Sequence, residues 1–476
     1  MNAICRDTEV SFIEGKLQSD QAEFIAVYGR RRIGKTYLIR ELLSDRFSFA
    51  MSGVLNGDKS EQFQAFSDAL EDYGYKGEKP KNWMEAFRCL QLLLQKKLKG
   101  NKPIVVFIDE IPCLDTRNAR FIPALDHFWN GWAAYQKQMK LIVCGSATSW
   151  IIGNLIDSHG GLHNRLTAEL HLRQFTLLDV EKYLHKRCFM WQRLEIVQAY
   201  MVFGGVPYYW SLLQKGASVT QEIDRLIFSP DGELNDEFEM LYASLFKKPE
   251  PYIRVIELLA RKKMGMTRME LLAVRGFEDN GSFSDILKDL EWCGFIRSYS
   301  MMGYKKKSDL FQLIDHYTLF YYEYIDGQRQ GANYWKSMLG TPKYNTWCGL
   351  AFERTCLWHI DQIKKQLGIS GILTNEYAWR CSGDESKNLR GVQIDLLIDR
   401  SDGIIDICEM KYSKEPYVIS ADYGRELQRK RDVLAEMTGT GSAIHTIMVT
   451  TEGVVHNEEW GEIQAEVNLD NLFELK

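Results

Sequence analysis

Phe24-Ile-Ala-Val-Tyr-Gly-Arg-Arg-Arg-Ile-Gly-Lys-Thr-Tyr-Leu-Ile-Arg40 decides how the chain is read. Phe24 to Tyr28 is a short apolar run that predicts a buried strand, and Tyr37 to Leu43 predicts a helix. Between them, Gly29 to Thr36 fits G-x-x-x-x-G-K-[ST]. A strand, a glycine loop and a helix in that order is the context a phosphate-binding loop needs. The backbone N–H groups of Gly29, Arg30, Arg31, Arg32, Ile33 and Gly34 and the helix N-terminus offer positive partial charge to a polyphosphate. Lys35 is expected to reach the β and γ phosphates, and Thr36 to hold Mg²⁺ through its hydroxyl. The ordinary alternative, a chance Gly-Lys-Thr on a surface helix, does not explain the flanking strand.

The chain has 476 residues, enough for two to four domains, with 45% hydrophobic and 26% charged residues, as in soluble globular proteins. Its net charge of −5 means that any nucleic-acid contact needs a local basic patch. No apolar run approaches the roughly 18 residues of a membrane span, so no membrane partner is expected. The first ten residues lack the apolar core of a signal peptide. Ten cysteines without a C-x-x-C pair suggest reduced thiols and a cytoplasmic location. His159 and His163 have metal-like spacing, but Gly160 and Gly161 break any helix and no third ligand is evident, so no zinc site is read there.

The second landmark is Pro103-Ile-Val-Val-Phe-Ile-Asp-Glu-Ile-Pro112, a run that predicts a strand buried on both faces. At its end Asp109 is placed to hold Mg²⁺ through water and Glu110 to act as general base on the attacking water. An Asp-Glu pair also suits a helix N-terminus, but behind a phosphate loop the catalytic reading wins. Leu141 to Thr148 predicts another buried strand, after which Ser146 either senses the γ-phosphate or attacking water or caps a helix; both readings stand. Phe47 to Val54 is a further candidate strand, and helices are expected at about 6–17, 61–73 and 83–99. A candidate strand between the loop strand and the Asp-Glu strand suits the P-loop branch that inserts one there and uses a catalytic glutamate, which includes AAA+ and STAND ATPases.

Four stretches together resemble the archaeal-type ATPase family of the STAND branch. They are Gly29-Arg-Arg-Arg-Ile-Gly-Lys-Thr36, Phe107-Ile-Asp-Glu-Ile-Pro112, Gly161-Leu-His-Asn-Arg-Leu-Thr167 and Phe203-Gly-Gly-Val-Pro-Tyr208. The resemblance implies a helical lid, a winged helix and a C-terminal nuclease-like region, the domain of unknown function 234. It nominates Arg165 as the group that stabilises γ-phosphate charge, in cis or from a neighbouring copy; an ordinary surface arginine is the alternative. Gly204, Gly205 and Pro207 then form a rigid turn that packs the lid against the nucleotide, or a plain helix-ending turn.

Residues 251–261, 267–274 and 282–292 read as three helices, followed by strands at 294–300 and 310–314 around Gly303-Tyr-Lys-Lys-Lys307, a winged-helix order. Lys305 to Lys307 are placed to touch a nucleic-acid backbone. The presumed recognition helix, however, carries Asp285, Asp289 and Glu291 against Lys288, the wrong balance for phosphate binding, so packing is the expected role. Further on, a helix opens at Gly349, Gly391 to Ile398 and Ile404 to Met410 read as a hairpin around Asp399–Gly403, and a helix follows at 420–438. Glu409 and Lys411, two apart on a strand, share a face, and Asp395 is expected to meet them from the neighbouring strand. With Glu353 from the preceding helix, Asp395 and Glu409 make a candidate metal site for phosphodiester hydrolysis, with Lys411 beside the attacking water. This is similar to the PD-(D/E)xK nuclease superfamily, with Ile394 in place of the usual proline. Arg425, Arg429, Lys430 and Arg431 are candidate sources of positive charge there, with Gln428 facing the site; a solvated helix would carry the same residues.

The expected architecture is α/β: a P-loop NTPase core with a parallel sheet (1–175), a helical lid (176–235), a winged-helix domain (236–325), a linker (326–344) and a restriction-endonuclease-like α/β domain (345–476). The expected cofactors are ATP and Mg²⁺. Candidate partners are DNA or RNA and a second copy of the chain. The leading function is an ATPase switch coupled to a metal-dependent nuclease-like domain acting on nucleic acid. The alternative is a non-catalytic, nucleotide-regulated assembly whose C-terminal domain only recognises nucleic acid or a partner.

Overall fold

Strand β1 (Glu23–Tyr28) shows how the first sheet is built. Its Phe24 and Ala26 enter one apolar core while Ile25 and Val27 enter another. In β3 (Ile104–Asp109), Ile104, Val106 and Ile108 alternate in the same way with Val105 and Phe107. Period-two alternation between two cores means that both faces are covered, which is why these strands read as continuous apolar runs. Helices Lys59–Asp72, Trp83–Gln95 and Phe121–Gly131 supply one core; Asp7–Leu17 and Lys35–Leu43 supply the other. Burying one such strand side chain is worth about 1.5–3 kcal/mol. With β2 (Phe47–Ser52), β4 (Met139–Gly145) and β5 (Ala168–His171), the order is β2-β3-β4-β1-β5, all parallel. The strand inserted between β1 and β3 is β4; β2, which follows the loop helix in sequence, lies at the edge.

The computed structural model describes residues 5–98, 102–157, 162, 164–274, 276–300, 302, 309–327, 331–381 and 391–475. His159, Gly160, Gly161, His163 and Lys305 to Lys307 lie outside them. The chain divides into two units, Met1–Gln174 with Leu241–Pro249, and Phe175–Met240 with Glu250–Lys476. The parallel sheet belongs to the first.

In the second unit, helices Glu250–Arg261, Arg268–Leu272 and Gly281–Trp292 accompany an antiparallel sheet of β6 (Met266–Thr267), β7 (Ile296–Tyr299) and β8 (Leu310–Leu313), in the order β6-β8-β7. Within 326–344, helix Tyr334–Met338 buries Trp335, and the Trp335 and Lys336 N–H groups donate to Asp224 at 2.8 and 3.1 Å. A mixed sheet follows, β13-β12-β11-β10-β9, made of β9 (Thr374–Cys381), β10 (Val392–Arg400), β11 (Ile404–Lys411), β12 (Ala443–Thr450) and β13 (Ala465–Val467). β9, β10 and β11 run antiparallel, whereas β11, β12 and β13 run parallel. Gly403, at φ +86°, closes the hairpin.

Candidate functional site

The loop after β1 is held from below. Lys35 Nζ donates to the carbonyls of Gly29 and Arg30, both at 2.8 Å. Arg6 donates to Ile33 O at 3.3 Å and to Arg173 O at 2.8 Å. Gly29 has φ +138°, and a Cβ there would lie 2.4 Å from Leu172 O. Gly34, at φ +87°, starts helix Lys35–Leu43 without a side-chain cap. The first-turn N–H groups of that helix are therefore available to an anion. Ile33 is buried in the core, Arg30 and Lys35 are buried, and Arg31, Arg32 and Thr36 are partly exposed. His171, which the sequence reading missed, stacks on Tyr28 at 5.0 Å beside the loop. Burial, then Arg173 and Lys35, lower its pKa.

β1, β4 and β3 are neighbours and parallel, so their C-terminal ends meet at one sheet edge. Asp109 ends β3 and is 3% exposed. Its carboxylate accepts from Thr36, from Cys144 and from the Glu110 N–H at 3.0 Å. Burial pushes this carboxyl up, helped by the Glu110 charge and opposed by the hydrogen bonds. Glu110 sits in the left-handed region at φ 43°. Its side chain accepts from Ser146 Oγ at 2.7 Å and from Ser146 N–H at 3.1 Å. Ser146 therefore holds the carboxylate of Glu110 and caps no helix; the N-cap of helix Thr148–Ile151 is Ala147. Gly53 was also missed: its Cβ would stand 2.6 Å from Glu110 O, so the turn at Glu110 needs a glycine beside it. The hard-oxygen pair of Thr36 and Asp109 suits Mg²⁺, and the uncapped helix start suits its polyphosphate. Arg165 is exposed, with its N–H on Leu162 O at 3.1 Å.

In the second unit the Gly-Gly-x-Pro stretch ends helix Arg193–Phe203 and starts helix Pro207–Ser211 with proline at its first position. The Phe175 N–H donates to Gly205 O at 2.7 Å, and a Cβ on Gly205 would fall 2.0 Å from Phe175 O. Glycine is required there by backbone contact.

The C-terminal acids do not gather as one metal site. Glu409 and Lys411 lie at even spacing from Ile405 and Ile407, the β11 residues that pack with Val433 and Leu434 of helix Ala421–Thr438. Cys408 is at odd spacing from them and points the other way, toward helix Pro342–Trp358, which packs on β11. Glu353 shares that helix and also acts on Cys356. Strand alternation therefore puts Glu353 and Glu409 on opposite faces of β11. Asp395 lies within the register shift between Ile394 and Leu397, accepts from Gln393, and acts electrostatically on Glu353. Burial raises the Glu353 carboxyl to about 7, with Arg354 pulling it down and Asp395 pushing it up. Among the described residues, no three His, Cys, Asp or Glu side chains are arranged to hold a metal ion.

The expected basic face is internally paired. Arg425 bonds Asp422, Arg429 bonds Glu426, Lys430 bonds Glu409, and Arg431 bonds Glu462 and, at 3.0 Å, Gln428. On helix Gly281–Trp292, Asp289 accepts from Tyr252 at 2.7 Å and Glu291 from the Ser298 N–H at 3.0 Å. Those acids serve packing.

The chain is 25% identical over 365 residues to the uncharacterized protein MJECL04 of Methanocaldococcus jannaschii, covering 76% of this chain and 77% of that protein. Its fold was compared with the Walker-type ATPase PABY2304 of Pyrococcus abyssi, at TM-score 0.48 and 16% identity over 66% of this chain and 94% of that one. Against the ORC2 protein of Aeropyrum pernix, the TM-score is 0.40 and the identity 13%, over 65% of this chain and 90% of that one. Residues 4–213 match the family described as an ATPase domain predominantly from Archaea.

Proposed function

We propose that the chain is an ATP-dependent switch that binds MgATP at the loop Gly29–Thr36, hydrolyses it slowly, and drives a C-terminal nuclease-like output domain. The observation that carries this reading is the convergence of Lys35, Thr36, Asp109, Glu110 and Ser146 at the C-terminal ends of three adjacent parallel strands. Thr36 and Asp109 would hold Mg²⁺, which supplies charge neutralisation when bound. Lys35 exchanges its carbonyl partners for phosphate oxygens. Glu110 orients the attacking water and takes its proton, and Ser146 holds the Glu110 carboxylate in place. Arg165 offsets γ-phosphate charge, in cis or from a second copy. No disulfide joins any of the ten cysteines, and reduced thiols suit the cytoplasm.

The test is nucleotide titration and phosphate release with wild type and Lys35→Ala. Wild type should bind MgATP and turn it over, and the variant should do neither. Equal binding by both would remove the loop from the mechanism. If Arg165 acts from a second copy, Arg165→Ala and Lys35→Ala proteins should regain activity when mixed.

For the output domain, the element order helix, hairpin, helix supports a nuclease-like fold. The separation of Glu353 from Glu409 and the internally paired basic helix favour recognition of nucleic acid or a partner over cleavage. The three-helix and β6-β8-β7 module is read as a winged helix used for packing. Incubation with plasmid, single strands and RNA, with Mg²⁺ or Mn²⁺ and with or without ATP, should leave all three intact. Metal-dependent cleavage lost in Lys411→Ala would favour the nuclease reading instead.

A further inference from the structure

Glu409 sits near the end of β11 and is 7% exposed. Both of its oxygens are taken. Lys430, from helix Ala421–Thr438, ion-pairs with Oε1, and the Tyr423 hydroxyl of the same helix donates to Oε2 at 2.8 Å. The Lys430 side chain is itself 14% exposed, so the pair is shielded from water. Lys411 Nζ stands 4.8 Å from the centroid of the Tyr423 ring. A second positive charge therefore flanks the same tyrosine. Glu353, which would add negative charge, is on the opposite face and is paired with Arg354.

A divalent cation of the Mg²⁺ class needs several oxygen ligands and more than one carboxylate in a protein cage. Here a single carboxylate meets an ammonium and a phenol. The donor set does not fit a divalent ion. A shielded carboxylate still needs a compensating cation, because stripping one partner from a buried pair leaves a costly bare charge.

We infer that Lys430 is the resident cation of this site. Its ammonium occupies the place beside Glu409 that a metal ion would take in a cleaving domain, so Glu409 holds no divalent ion while Lys430 is there. The inference rests on the nuclease-like reading of that domain. Helix Ala421–Thr438 thus carries its own counter-ion, and Tyr423 and Lys430 together pin the helix to β11 along the carboxylate. Without Lys430, the Glu409 charge is bare, and an added cation is what neutralises it.

The experiment is Mn²⁺ binding to the full chain without nucleotide, followed by the electron paramagnetic resonance of free Mn²⁺. Wild type, Glu409→Gln and Lys430→Arg should give the same curve. Lys430→Met should bind Mn²⁺ at least about tenfold more tightly, and Lys430→Met/Glu409→Gln should return to the wild-type curve. Wild-type Mn²⁺ binding abolished by Glu409→Gln would overturn the inference and leave the nuclease-like reading standing. No gain in a folded Lys430→Met variant would overturn the inference and leave the nuclease-like reading, which rests on element order, standing. Should Lys430→Met not fold, the wild type against Glu409→Gln comparison still decides: a difference sinks the inference and identity supports it.

Discussion

Two strand ends in this molecule carry acids that the sequence marks as metal ligands, and they end differently. At β3, Asp109 and Glu110 meet Thr36 and Ser146 through hydrogen bonds. At β11, Glu409 meets a lysine and a tyrosine while Glu353 lies across the sheet. The first site is built from loops that leave adjacent parallel strands at one edge, so the sheet order alone brings them together. The second draws on a helix and two antiparallel strands. There the outcome depends on which face each residue takes, and one register shift changes that. Residues delivered by backbone to a common edge converge robustly. Residues delivered by side-chain parity converge only if every intervening step keeps register.

Four substitutions put this contrast to measurement. Glu110→Gln should lower ATP turnover on the order of 100-fold or more while nucleotide affinity holds, because a general base is lost and the Ser146 contact has an acceptor left. Single-turnover rates check it; wild-type turnover would remove Glu110 from the chemistry. Gly29→Ala comes next. With φ +138° and Leu172 O in the way, it should cost about 2–4 kcal/mol in denaturant unfolding and weaken nucleotide binding as well. An unchanged midpoint would mean that the loop is not held as tightly as the contrast requires.

Glu353→Gln tests the other site through pH. The native carboxyl keeps its proton up to about 7, whereas the unfolded chain releases it near 4.5. Between those values the native state binds more protons, so wild-type stability should fall as pH rises from about 5 to 7.5, on the order of 1–3 kcal/mol. Glu353→Gln should flatten that dependence and be the more stable protein at pH 8. Parallel slopes for the two proteins would contradict the buried placement. Lys411→Ala should have the smallest effect. Losing an ammonium over the Tyr423 ring should cost about 0.5–1 kcal/mol and leave ATP turnover unchanged. A larger loss, or altered metal binding, would place Lys411 in a working site.

Most local elements of the first unit are legible in the sequence, though not β5 or helix Phe121–Gly131. Phe24 to Tyr28, the run before Asp109 and the run before Ser146 are strands β1, β3 and β4, because strands buried on both faces leave uninterrupted apolar stretches. The helices at Asp7–Leu17, Lys59–Asp72 and Trp83–Gln95 follow from their apolar periodicity, and in the second from an Asp58/Glu61 capping box. Helices Glu250–Arg261, Arg268–Leu272, Gly281–Trp292 and Ala421–Thr438 and the β10-β11 hairpin of the second unit were legible in the same way, whereas the helix expected from Gly349 begins at Pro342, inside the stretch read as a linker. Short or half-buried strands were not: β5, β9 and β13 carry no strong local pattern and exist because a neighbour pairs with them, while β12 was missed although Thr446 to Thr450 form a continuous buried run. Only the tertiary structure decided that β4 stands between β1 and β3, that Ser146 serves Glu110, and that Trp335 is buried at 326–344. It alone decided that Glu353 and Glu409 face apart and that Lys430 neutralises Glu409. Periodicity is a property of neighbours along the chain, whereas strand order, face and ion pairing are set by contacts between residues far apart in it.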